Sequence, residues 1–191
     1  MTIRIDRRAF VLTGTLGLGA YAIPGFAQVP AADGFTHNVA SGEPGPDSVL
    51  LWTRYAGKGD SAKLKVEVSE SADFAKIVAG GEAITGPWRD WTAKIVVAGL
   101  KPGTRYHYRF VAPDGSFSPP GRTRTLPQGD AARFGIAIFS CSNIGFGYFN
   151  AYAHAAARDD IDLAVHLGDY IYEYPHRYHP SEVQAVTGRL P

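Results

Sequence analysis

One cysteine, one aspartate and one tyrosine in the last third of this 191-residue chain have the types and spacing to do chemistry together. Cys141 follows an apolar run, Phe134-Gly135-Ile136-Ala137-Ile138-Phe139, and Asp169 follows a second, Ile161 to Leu167. Tyr172 comes three positions after Asp169, so a single turn of chain returns its phenol to the side of the carboxylate. A thiolate, a carboxylate and a phenolate held together repel one another unless a cation is bound among them. A hard, highly charged ion suits the two oxygens, and Fe(III) accepts the sulfur as well. Binding has to displace protons from the thiol and the phenol, whose ordinary pKa values are about 8.5 and 10, so affinity is expected to rise with pH. Composition alone leaves a second reading of Cys141 open, because free cysteine is habitually a small buried hydrophobe.

The elements around these residues must bring them together. Between the apolar runs lies a helical stretch, Tyr148 to Arg158, in which Phe149, Tyr152, Ala153 and Ala156 form one apolar stripe. Strand, helix and strand fit within the 37 residues from Arg133 to Asp169, the size of a right-handed βαβ unit with parallel strands. The nearly unbroken apolar runs predict strands buried on both faces. Ligands gather at the carboxyl ends of adjacent parallel strands, where Cys141 and Asp169 fall.

Upstream the pattern is different. Short alternating segments are expected as strands at Phe35 to Ala40, Ser48 to Tyr55, Lys63 to Ser69, Thr92 to Val97, Arg105 to Ala112 and Gly121 to Thr125. Turn residues separate them, including Gly42-Glu43-Pro44-Gly45-Pro46-Asp47, Gly80-Gly81, Gly86-Pro87 and Lys101-Pro102-Gly103. This spacing predicts an all-β sandwich over 35–126, and Leu100 to Arg109 resembles the tyrosine corner of fibronectin type III domains. Trp52 is expected in the core between the sheets, with Trp88 and Trp91 partly exposed. The boundary to the βαβ segment is expected near Leu126 to Ala132.

The opening residues read as an address. Arg7-Arg8 precede an uncharged run of 15 residues, Ala9 to Ile23, that leads to Gly25-Phe26-Ala27. This is the form of a twin-arginine (Tat) signal over 1–27, cleaved after Ala27 or, second, after Ala31. The run is shorter than the roughly 18–20 apolar residues a membrane span needs, so no stable span is expected after cleavage. Tat export carries proteins already folded, often with a metal or cofactor loaded, and implies a periplasmic or secreted location with the export machinery as a partner. From Gln28 onward 16 basic residues face 17 acidic ones, a balance that argues against nucleic acid as a target. The single cysteine cannot form an internal disulfide in an oxidising compartment.

Several of these segments resemble one family. Phe35-Thr36-His37-Asn38-Val39-Ala40-Ser41-Gly42-Glu43-Pro44 and Ser48-Val49-Leu50-Leu51-Trp52-Thr53-Arg54 look like the start of the amino-terminal domain of PhoD-type alkaline phosphatases and phosphodiesterases. Ser140-Cys141 and His166-Leu167-Gly168-Asp169-Tyr170-Ile171-Tyr172-Glu173-Tyr174 look like the first two metal motifs of the metallophosphatase domain that follows it, and the second stretch is highly specific. The resemblance implies an α/β metallophosphatase domain beginning at residue 133. It also implies hydrolysis of phosphomonoesters and phosphodiesters with Fe(III) and Ca(II). By position, Cys141 matches an iron-bound thiolate, Asp169 a catalytic carboxylate bridging the metals, and Tyr172 an iron-bound phenolate. The later ligands of that family are absent here, so the 191 residues are expected to be an amino-terminal fragment, inactive alone and unstable after Arg133. The substrate-binding residues stay unassigned.

Other polar residues are read more plainly. His166 is expected as a buried, hydrogen-bonded support behind a ligand rather than a ligand, and His154 as a packing residue. His176 and His179 are expected in a solvent-exposed loop, and Asn143 either in a turn or touching phosphate. The rival function is an exported sandwich that binds a carbohydrate or a protein without catalysis, to which the Cys141, Asp169 and Tyr172 cluster would be irrelevant.

Overall fold

The computed structural model describes residues 34–143 and 149–172; the leader expected over 1–27 and Glu173, Tyr174, His176 and His179 lie outside them. The chain forms two compact units that divide between Ala131 and Ala132.

The first unit is a sandwich of two antiparallel sheets. One sheet has the order β1 (Phe35–Gly42), β2 (Ser48–Tyr55), β5 (Thr92–Ala98). The other has the order β4 (Ala79–Thr85), β3 (Ala62–Ser69), β6 (Arg105–Val111), β7 (Gly121–Arg124). The period of two sends alternate side chains inward. Val49, Leu51 and Thr53 of β2 meet Leu64, Val66 and Val68 of β3 and Tyr106, Tyr108 and Phe110 of β6, all buried. Covering a Val, Leu or Phe this completely is worth roughly 1.5–3 kcal/mol each, so the two inner faces hold the unit together. The Tyr106 hydroxyl accepts the Lys101 backbone N–H at 2.8 Å, which makes the fibronectin type III-like tyrosine corner a feature of the fold. Buried hydroxyls also find partners: Thr53 donates to the Asn38 carbonyl at 2.8 Å and Thr125 to the Lys101 carbonyl at 2.6 Å.

Two expectations are corrected here. Gly80-Gly81 is not a break but lies within β4, near its start, paired with Glu67 and Val66 of β3. A Cβ at Gly80 would stand 2.2 Å from the Val66 carbonyl oxygen, and one at Gly81 2.5 Å from Cδ1 of Ile95. At Gly80 a backbone atom leaves no room for a side chain, whereas at Gly81 the close atom is the end of the Ile95 side chain; neither glycine marks a turn. Trp52 lies on the outer face of its sheet, half-buried, between Ala40 and Lys94, because Val49, Leu51 and Thr53 already occupy the inner positions of β2. Trp88 is 64% exposed, while Trp91 packs against the core.

The second unit contains β8 (Ile136–Phe139), α1 (Asn150–Ala156) and β9 (Leu163–His166), with β8 and β9 parallel and Phe139 opposite His166. Its entry is pinned by Gly135, whose N–H donates to the Asp162 carboxylate at 2.9 Å and whose carbonyl accepts the Asp162 N–H at 2.8 Å. The helix covers one face only: Tyr152 packs on Phe139, ring centroids 4.8 Å apart. On the opposite face Ile136 and Ile138 are exposed, as is Leu163. The expected burial on both faces is therefore not found among the described residues, because a single helix layer can cover only one side of a two-stranded sheet. The described helix ends at Ala156, short of Arg158, which instead pairs with Asp160 two residues on. Among the described residues no helix is long and apolar enough to cross a membrane.

Candidate metal centre

The parallel pairing of β8 and β9 continues past the strands themselves. The Leu167 N–H donates to the Phe139 carbonyl at 2.8 Å, the Cys141 N–H to the Gly168 carbonyl at 3.2 Å, and the Ser142 N–H to the Asp169 carbonyl at 2.9 Å. Two loops, each following a strand, thus run side by side. Cys141 and Asp169 both take left-handed backbone conformations, with φ of 58° and 50°. Such conformations are uncommon for non-glycine residues and persist only where surrounding structure imposes them, as the cross-loop bonds do here.

The side chains meet at one oxygen. The Cys141 thiol donates to Oδ2 of Asp169 at 3.5 Å, and the Tyr172 hydroxyl donates to the same Oδ2 at 2.9 Å. Hydrogen bonding to Cys141, and next to Asp169, holds the Tyr172 phenol well above its ordinary pKa, with burial and the neighbouring negative charges acting in the same direction. Cys141 and Asp169 are exposed, so the cluster opens to solvent. The exposure of Cys141 overturns its reading as a small buried hydrophobe. Sulfur, carboxylate and phenol within hydrogen-bonding reach are a donor set that fits a hard trivalent cation able to take one thiolate. Protons hold the group together in their present places, and a cation would replace them. Among the described residues, no group of three or more His, Cys, Asp and Glu gathers as a metal cage, so the tyrosine is what makes this cluster a candidate.

His166 stands behind the cluster rather than in it. Its Nδ1 accepts the Gly168 N–H at 3.3 Å, which puts the ring proton on Nε2. Nε2 lies 2.8 Å from the Ser142 hydroxyl and 3.0 Å from the Tyr152 hydroxyl, and those two hydroxyls bond each other. Tyr170 meets the imidazole edge-on at 4.9 Å. The Asn143 N–H donates to the Cys141 carbonyl at 3.0 Å, within the turn. His154 is exposed on the helix instead of packing. Sequence reasoning missed Ser142 and Tyr152 as polar members of the site. The available signal was a hydroxyl on an otherwise apolar helix stripe, since a partly buried tyrosine hydroxyl usually finds a partner.

Residues 21–127 match the family model described as PhoD-like phosphatase, N-terminal domain, and residues 136–190 match the model described as PhoD-like phosphatase. Alkaline phosphatase D of Bacillus subtilis (strain 168) is 37% identical over 210 aligned residues, covering 97% of this chain and 34% of the relative. The solved structure of PhoD is 38% identical and superposes with a TM-score of 0.68, covering 79% of this chain and 30% of that one. The chain therefore spans about a third of the length of the relatives it matches. With both family models matched in order along it, the chain belongs to the PhoD-like phosphatase family.

Proposed function

We propose that this chain carries the amino-terminal sandwich and the first metal-binding loops of an exported, alkaline phosphatase D-like hydrolase of phosphoric mono- and diesters. The observation that carries the reading is the meeting of Cys141, Asp169 and Tyr172 where two parallel strands end. Cys141 and Tyr172 would hold Fe(III) through sulfur and phenolate. Asp169 would help hold Fe(III) and Ca(II) through its carboxylate. When bound, such a pair supplies Lewis acidity toward the phosphoryl oxygens and lowers the pKa of an attacking water.

The chain's own residues perform the positioning. The left-handed turns at Cys141 and Asp169 present both side chains outward from the strand ends, and the cross-loop backbone bonds fix their separation. Asp169 takes the thiol and phenol protons as hydrogen bonds on one oxygen, so the three donors are already gathered before any cation arrives. His166 acts from behind, on the Gly168 amide, and touches none of the three directly through the contacts described. Among the described residues three donors gather, fewer than two metals need, and the 191 residues by themselves are proposed to show little or no turnover. The Tat leader over 1–27 and a periplasmic or secreted location belong to the same proposal.

The test is to measure bound iron and calcium together with hydrolysis of a chromogenic phosphodiester. The whole gene product is compared with its Tyr172→Phe form. A phenolate-to-iron absorption band present in the first and absent in the second is expected. Hydrolysis that persists unchanged when Cys141, Asp169 or Tyr172 is replaced would overturn the role given to these residues, and a whole gene product with neither bound metal nor hydrolysis would favour a binding module.

A further inference from the structure

Three polar groups lie between the helix and the two loops. The Ser142 hydroxyl, Nε2 of His166 and the Tyr152 hydroxyl are in mutual hydrogen-bonding contact, with Nε2 2.8 Å from Ser142 and 3.0 Å from Tyr152. Each of the two loops is gripped from this point. Ser142 is the residue after Cys141, and its N–H donates to the Asp169 carbonyl at 2.9 Å. His166 accepts the N–H of Gly168, the residue before Asp169, at 3.3 Å. Tyr152 comes from α1, between the two strands in sequence, and its ring is held by Phe139 at 4.8 Å and Phe149 at 5.8 Å. The helix therefore reaches both loops through a single hydroxyl.

We propose that Tyr152 is a positioning residue: through Ser142 and His166 its hydroxyl clamps the loop after β8 to the loop after β9 and so fixes the separation of Cys141 and Asp169. The inference rests on the reading of those residues as metal donors. Its physical reason is the backbone on each side. Cys141 and Asp169 both sit at positive φ, where a non-glycine residue does not stay unless its neighbours hold it. The clamp bonds to the residue beside each of them. A satisfied network of this kind rigidifies its members, and losing one hydroxyl leaves the other two partners to find new geometry. The fixed tautomer of His166 is part of the device. With Nδ1 committed to Gly168, only the Nε2 proton is directed at the two hydroxyls.

Tyr152→Phe removes the hydroxyl and keeps the ring against Phe139 and Phe149, so a role confined to packing predicts no change. Two readouts on the full chain test the clamp. The first uses no metal: hydrogen exchange at the Ser142 and Gly168 amides is expected to rise by roughly tenfold or more in Tyr152→Phe, with exchange in the sandwich strands unmoved. The second uses Fe(III) alone as probe: half-saturation of the phenolate-to-iron band is expected to move to roughly 10- to 100-fold higher iron, the usual effect of losing an outer partner of a ligand. Ser142→Ala is expected to act in the same direction, and the double variant to add little to either. Unchanged exchange at both amides overturns the proposal, and so does faster exchange with an unmoved iron titration. A wild-type chain that gives no band, and does not differ from Tyr172→Phe, overturns the metal reading instead; the exchange rates then still decide whether Tyr152 clamps the loops.

Discussion

Cys141 and Asp169 stand 28 positions apart in sequence, yet their side chains are in hydrogen-bonding contact at 3.5 Å and both take the left-handed backbone conformation. The Cys141 backbone is bonded to Gly168, next to Asp169, so the two residues are tied by main chain as well as side chain. An exposed thiol and an exposed carboxylate would not stay so placed by mutual attraction alone. The parallel register of β8 and β9, with Phe139 opposite His166, is what delivers them to the same edge.

The carboxylate is the shared acceptor of this cluster, which makes Asp169→Asn the informative change. In the whole gene product it is expected to lower phosphodiester hydrolysis by more than the roughly 10- to 100-fold that losing an outer partner of a metal ligand costs. Bound metal is expected to fall with it. Turnover retained with a full metal complement would remove Asp169 from the role proposed for it.

In the sandwich, Tyr106→Phe deletes the acceptor of the Lys101 N–H while leaving the buried ring. An amide left without its partner costs roughly 1–3 kcal/mol, and the loss should appear as a lower denaturant midpoint with an unchanged slope. An unchanged midpoint would mean that the corner adds nothing to the ring's burial.

Two glycines in strands should respond differently. Gly80→Ala puts a methyl 2.2 Å from the Val66 carbonyl oxygen, a backbone atom with little room to move, and is expected to destabilise by about 1–3 kcal/mol. Gly42→Ala meets nothing within 4 Å and should stay within about 0.5 kcal/mol of the parent. Equal effects of the two in thermal or chemical unfolding would contradict the close approach of β3 and β4.

His107 supplies a pH dependence. Burial first, and the positive charge of Arg122 second, hold its pKa below the ordinary imidazole value of 6.5. Above that value both folded and unfolded chains carry the neutral ring. As the pH falls below about 6.5 the unfolded chain takes up the proton first, so stability drops until the folded ring also protonates. His107→Gln should flatten unfolding free energy between pH 7 and 5 relative to the parent. Parallel curves for the two proteins would show that this ring does not report folding.

The positions of most strands were legible as alternation along the chain, since the pleat repeats every two residues and each residue's neighbours carry that signal. Ser48–Tyr55 is the strand expected, to the residue, and the corner at Tyr106 could be read from Leu100 to Arg109. Cys141, Asp169 and Tyr172 stood out because chemically unusual residues followed two apolar runs. Other features depend on atoms far away in the sequence. Gly80 and Gly81 look like a turn until the Val66 carbonyl and the Ile95 side chain are placed beside them. The run Val49-Leu50-Leu51-Trp52 is apolar on both faces and cannot say which parity points inward; pairing with Lys94 and Ala40 put Trp52 outside. Tyr152 reads as one more member of an apolar stripe until β8 and β9 bring Ser142 and His166 to its hydroxyl. Periodicity is written between residues adjacent in the chain. Facing, close approach and shared protons arise between residues that only folding makes adjacent.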